Sequence, residues 1–137
     1  MKEMIKKVRE DKEGFTLAEL LVVVAIIAVL VAIAIPVFSA SLSKSQAATD
    51  EANIRSGYAV VQVKALDGSA ATDTTWYLNT DGTVTNTASG TFVCLANSSD
   101  LGSTPNIAGQ TNVTWSKGQH ISYAVGKDGK VTIAAKS

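Results

Sequence analysis

The chain has 137 residues, with 12 basic and 12 acidic side chains and a net charge of zero, which gives no electrostatic case for nucleic acid, whose phosphates require a basic face. One cysteine, Cys94, excludes an internal disulfide or a thiolate metal cluster, and one histidine, His120, leaves a zinc site or a catalytic triad short of parts. The 46% apolar content would fill a single core if evenly spread, but it is concentrated near the N-terminus.

Residues 1–14 form a charged leader, with Lys2, Lys6, Lys7, Arg9 and Lys12 against Glu3, Glu10, Asp11 and Glu13. Residues 15–38 then carry one ionisable side chain, Glu19, and residues 20–35 are apolar without interruption. At about 1.5 Å per residue this segment reaches about 36 Å as a helix, enough to cross a hydrocarbon layer of roughly 30 Å. Strands rarely exceed about 10 residues, so length selects the helix. The basic residues lie ahead of the apolar run and the next one is Lys44. That asymmetry places Met1 in the cytoplasm and the bulk of the chain outside.

Residues 39–66 continue as an amphipathic helix, with Ile54, Tyr58, Val61 and Ala65 at helical spacing. Pro36 is its expected interruption, Gly57 a weak point, and Asp67-Gly68-Ser69 its stop. A helix over 16–66 would extend about 75 Å, too long for the core of so small a domain to cover.

From Asp67 onward short Thr-, Val- and aromatic-rich runs replace the helical pattern: 75–80, 83–87, 91–96, 112–116, 119–125 and 130–135. Asp81-Gly82 and Asp128-Gly129 each sit between two runs and read as type I′ hairpin turns, with positive φ at both positions. Residues 67–137 are therefore expected to form an antiparallel sheet domain, and the whole chain an α+β fold of one long helix packed on that sheet. Its sparse charges and abundant Ser, Thr, Asn and Gly suit a surface that works outside the cell.

The junction Gly14-Phe15-Thr16-Leu17-Ala18-Glu19, followed at once by the apolar run, resembles that of a bacterial type IV prepilin. The resemblance covers the leader, the glycine before a phenylalanine, the glutamate fifth from that phenylalanine, the apolar helix with Pro36, and the helix-then-sheet order. It implies that a membrane prepilin peptidase cuts between Gly14 and Phe15 and that the new Phe15 amine is N-methylated. It further implies a homopolymer of pilin subunits, anchored in the membrane before assembly and extracellular after it. A cytoplasmic assembly ATPase and an inner-membrane platform protein would drive that transition. The filament would serve adhesion, aggregation or motility. Many Gram-negative pilins have a disulfide-closed loop near the C-terminus; a chain with one cysteine has none.

The chemistry of the junction supports the same assignment independently. Glycine has no Cβ and lets an extended backbone enter a narrow protease site. Cleavage would create an α-amine of ordinary pKa near 7.7 to 8.0 beside the segment's only anion. A carboxylate one turn inside a membrane helix calls for a partner. Thr16-x-x-Glu19 fits a capping box on its own, while the resemblance supplies a second partner, the Phe15 amine of an adjacent subunit. Pro36 removes the donor that would bond the Ala32 carbonyl, and the resemblance implies a locally unwound segment between Glu19 and Pro36 in the filament.

Other readings come from different classes. A pseudopilin of a type II secretion or competence system would share the junction. Ala32-Ile33-Ala34 offers a signal peptidase I site, which would make the chain an ordinary secreted protein. A membrane-anchored enzyme or sensor would need a catalytic set that the sequence does not supply, so no enzymatic activity, cofactor or metal is expected. His120 reads as a packed or surface residue, Cys94 as a buried thiol, and Trp76, Tyr77, Trp115 and Tyr123 as strand residues of the sheet core. The Asp-Gly pairs lack the spaced oxygens of a calcium loop.

Overall fold

A computed structural model describes residues 16–137. The element order is one helix, α1 (Leu17–Leu66), and four strands, β1 (Thr74–Leu78), β2 (Val84–Thr85), β3 (His120–Val125) and β4 (Val131–Lys136), with a short 3-10 turn at Ser98–Leu101. The chain divides into two compact units, one ending at Ser39 and the other spanning Ala40–Ser137. This is the α+β architecture of a long helix on an antiparallel sheet.

The first unit is the apolar part of α1. Its Leu, Ile, Val and Ala side chains carry no competing hydrogen-bonding groups, so the backbone satisfies itself. The helix continues through Pro36 without a break in its assignment, which corrects the expected interruption. The ring removes the proline's own donor while its φ stays helical, and the turns on either side hold the geometry.

In the second unit α1 buries Ala47, Asp50, Ile54, Gly57 and Val61, a stripe spaced three and four residues apart that faces the sheet. Tyr58 and Ala65 pack at its margins. The helix stops where Asp67 turns back on itself, its carboxylate accepting from the Ser69 N–H at 2.8 Å. The sheet is fully antiparallel, in the order β2-β1-β3-β4. Trp76 of β1 lies opposite Tyr123 of β3, which lies opposite Ile133 of β4. Ile54 and Val61 meet Leu78, Ile121, Tyr123, Val125, Val131 and Ile133 in one core. Each such large apolar side chain contributes about 1.5 to 3 kcal/mol when fully buried.

Gly57 is no weak point. An added Cβ would lie 2.8 Å from both Leu78 Cδ1 and Tyr123 Cζ, so the absent side chain is what lets β1 and β3 approach the helix.

Two expected strands are absent. Residues 91–96 and 112–116 do alternate buried and exposed side chains as strands do, but their backbone donors find separate partners instead of one ladder. Thr91 N–H donates to Asn79 Oδ1, Phe92 N–H to the Leu78 carbonyl and Cys94 N–H to the Gln119 carbonyl. Trp115 N–H donates to Ser98 Oγ and Ser116 N–H to Gln119 Oε1. Trp115 is therefore buried but not on a strand. The first hairpin is also shorter than expected, since β2 has two residues.

Both Asp-Gly turns join antiparallel strands, but neither is type I′. Asn79 pairs with Thr83 and Gly126 with Lys130, which leaves three-residue loops. Only Gly82 (φ 86°) and Gly129 (φ 80°) adopt positive φ, while Asp81 and Asp128 do not. Each aspartate instead accepts from the N–H two residues on, at 3.0 Å for Thr83 and 3.1 Å for Lys130, the Asx turn that its short side chain favours. The Thr83 hydroxyl, which donates to Asp81 Oδ1 at 2.6 Å, together with that amide holds the Asp81 carboxyl below its ordinary range.

Candidate functional site

At the start of α1, Thr16 N–H donates to Glu19 Oε2 at 3.0 Å and Glu19 N–H donates to Thr16 Oγ1 at 3.2 Å. The first helical bond follows, from Leu20 N–H to the Thr16 carbonyl at 3.1 Å. This is a complete capping box, satisfying two amides that a helix start would otherwise leave unpaired. The Glu19 charge also sits at the positive end of the helix dipole. Glu19 thus points back toward the junction. Gly14 and Phe15, the residues on which cleavage and methylation are expected, lie outside the described residues.

Every side chain from Thr16 to Leu42 is exposed, including Leu21 at 70%, Ile33 at 62% and Phe38 at 68%. Isolated soluble proteins rarely leave more than a few hundred Å² of contiguous apolar surface uncovered. The helix is long and apolar enough to cross a membrane. The surface of residues 16–42 is suited to lipid or to other apolar helices, and Glu19 is the only carboxylate among those residues.

The second unit contains a carboxylate that the sequence did not disclose. Asp50 is fully buried on α1, and its Oδ1 and Oδ2 accept from Leu95 N–H at 3.0 and 2.9 Å. Oδ2 also accepts from Ala96 N–H at 3.0 Å. One helical side chain thereby ties down residues 95–96, which no ladder holds. Burial raises the Asp50 pKa against the opposing pull of the Leu95 and Ala96 amides and the Trp115 indole. The Trp115 Nε1–H falls short of hydrogen-bond geometry and is left unpartnered. Nothing in the local pattern at Asp50 announced this role; the only available signal was an acid at three- and four-residue spacing from Ala47 and Ile54 on the buried stripe.

The remaining candidates are structural. Cys94 is buried, and burial together with the Asp50 charge pushes its thiol up to about 12, so no reactive thiolate forms near neutral pH. His120 Nδ1 lies 2.9 Å from the Phe92 carbonyl, a side-chain tie from β3 to the irregular segment beside it. Trp76 takes Lys64 over its ring at 5.2 Å. Among the described residues no three or more His, Cys, Asp or Glu side chains gather as a metal site.

Residues 11–35 match the family described as the prokaryotic N-terminal methylation motif. The N-terminal segment is that of a type IV pilin-like prepilin. The motif spans the end of the leader, the Gly14-Phe15 junction, Glu19 and the apolar stretch as far as Ile35. No curated protein and no solved structure matches the chain. The motif and the apolar helix fit a membrane-anchored, pilin-like precursor; proteins with this motif are in general processed by a prepilin peptidase and polymerise with other pilins.

Proposed function

We propose that the chain is the structural subunit of a type IV pilus. A prepilin peptidase hydrolyses the Gly14–Phe15 amide on the cytoplasmic side, releasing the leader's new carboxylate and the Phe15 amine, which is then N-methylated. The processed subunit is a single-pass membrane protein with residues 39–137 outside, and it joins a surface filament through the apolar half of α1. Residues 15–38 act as membrane anchor and then filament core, residues 39–66 as the helix of the head, and residues 67–137 as the sheet of the head.

The observation that carries this reading is the exposed apolar surface of residues 17–42, which begins within the methylation motif and runs on beyond it. With about 20 apolar side chains at roughly 1.5 to 3 kcal/mol each, exposing that surface to water would cost on the order of 30 to 60 kcal/mol as an upper bound. The helix must therefore pass from lipid directly into a bundle of like helices, driven by an assembly ATPase through a platform protein.

Glu19 has two roles in sequence. Its carboxylate caps Thr16 in the free subunit, one residue from the site of the new amine. In the bundle, where water is excluded, it pairs with the Phe15 amine of a neighbouring subunit. The reading is tested by replacing Gly14 with Val: insertion depends on the apolar run and persists, whereas cleavage depends on the small residue and fails. Filaments of mature-length Gly14→Val subunit would refute it.

A further inference from the structure

β4 is an edge strand of the sheet, and its outer side is occupied by a side chain. Gln110 Nε2–H donates to the Val131 carbonyl at 2.8 Å and Gln110 Oε1 accepts from Ile133 N–H at 3.0 Å. These are the two bonds that the N–H and C=O of one residue of a parallel strand would make on either side of Thr132. The amide is aimed by a two-residue hairpin. Ile107 and Gln110 exchange both backbone bonds, at 3.1 and 3.0 Å, and Ala108 (φ 53°) and Gly109 (φ 84°) form the turn. An alanine in that left-handed conformation is strained; fully buried Ile107 anchors the hairpin against it. A groove of about 430 Å³ lies alongside, lined by Gln110, Asn112, Val113, Lys130, Thr132 and Ile133 among others.

We propose that Gln110, with Lys130 and Lys136, is a guard that closes the β4 edge against the same edge of a second copy. The inference does not rest on the pilin reading. A second copy is the matching occupant because an antiparallel β4–β4 pair is self-complementary. The residues whose backbone faces outward, Val131, Ile133 and Ala135, would pair about a two-fold axis at Ile133. In that register Lys130 of each copy lies opposite Lys136 of the other, on the solvent face. Like charges directly opposite destabilise a ladder, and lysines are a common device on exposed edges. Gln110 fills the hydrogen-bonding positions at the centre, and the lysines repel at both ends.

The test is a cross-link in the full-length chain in detergent micelles. The two-fold register brings Thr132 of one copy opposite Ala134 of the other. Mixing a Thr132→Cys chain with an Ala134→Cys chain under mild oxidation reports that contact; association through the apolar helix does not produce it, and Cys94 is buried. With Gln110 intact, cross-linked dimer is expected only at background. With Gln110→Leu, which keeps bulk but has no donor or acceptor, or with Gln110→Ala, yield is expected to rise at least about tenfold, and further when Lys136→Glu is added. Ile133 amide exchange is read in monomeric wild type and Gln110→Leu and is expected to accelerate by a similar factor in the variant. Background cross-linking in every Gln110 variant with unchanged Ile133 exchange would overturn the proposal, as would cross-linking by Lys136→Glu alone.

Discussion

The phenol of Tyr123 on β3 donates a 2.7 Å hydrogen bond to the backbone carbonyl of Ile54 on α1, crossing the space that Gly57 leaves empty. Helix and sheet are therefore joined by a polar bond inside an apolar core, and the bond requires a glycine one turn away. Burial, with a smaller contribution from Cys94, raises the tyrosine pKa well above its ordinary value, so the phenol remains a donor throughout the usable pH range.

Gly57→Ala should destabilise the head by about 1 to 2 kcal/mol, because overpacking costs about 1 to 3 kcal/mol and exceeds the gain of up to about 1 kcal/mol in helix propensity. Tyr123→Phe alone should cost about 0.5 to 1.5 kcal/mol, the net value of one hydrogen bond. The double variant should be more stable than the sum of the two, since removing the hydroxyl takes away the atom nearest the new methyl. Denaturant unfolding of the four proteins measures that coupling. Simple additivity would mean that the two residues do not share the space.

Asp50→Ala removes the acceptor of the Leu95 and Ala96 amides. Each such amide left unpaired costs about 1 to 3 kcal/mol, so a loss of roughly 2 to 6 kcal/mol is expected, with faster hydrogen exchange at those two positions.

The pH dependence of Asp50 has a definite sign. Its folded pKa is raised above the ordinary 3.8, so the fold favours the protonated form. That contribution is fully present below 3.8 and is lost as pH rises from there through the folded value. Asp67 and Asp81 act in the opposite sense, with pKa values lowered mainly by bonds from Ser69 and Thr83. The stability of wild type minus that of Asp50→Asn isolates the buried group. It is expected to fall as pH rises above 3.8; a flat difference would exclude the assigned shift.

Cys94 should resist a water-soluble thiol reagent in the folded protein, reacting at least about a hundredfold slower than in denaturant, because it is both buried and held as the thiol. Comparable rates would show that residues 91–96 open readily despite the Asp50 tie.

Glu19→Gln should insert and be cleaved yet enter filaments poorly. Leaving the neighbouring amine buried without a counter-charge costs about 3 to 5 kcal/mol, several hundred-fold or more in incorporation. Loss of the dipole term alone would cost about 0.3 to 1 kcal/mol. Co-expression with wild type and analysis of sheared filaments gives the ratio, and near-equal incorporation would leave Glu19 as a helix cap only.

What the sequence disclosed was local. The Thr16–Glu19 box, the stripe at Ile54, Tyr58, Val61 and Ala65, and the two Asp-Gly hairpins are set by residues within a few positions of one another. The segments 91–96 and 112–116 show strand alternation, but whether they join a ladder is decided by distant acceptors: Asp50, Asn79, Ser98 and Gln119. Asp50 reaches across 46 positions to Ala96, and Gln110 across 23 to Ile133. Neither pairing leaves a periodic trace. Gly57 reads as a weak point in the sequence for the same reason, since its value depends on Tyr123.

The central claim, that this chain is a prepilin processed at the Gly14–Phe15 junction, is tested most directly by intact-mass and N-terminal analysis of the protein recovered from sheared surface filaments. The expected mature chain begins at Phe15 and carries one methyl group on its amine. A mature chain beginning at Ile35, immediately after Ala34, would identify signal peptidase I as the processing enzyme and contradict the account.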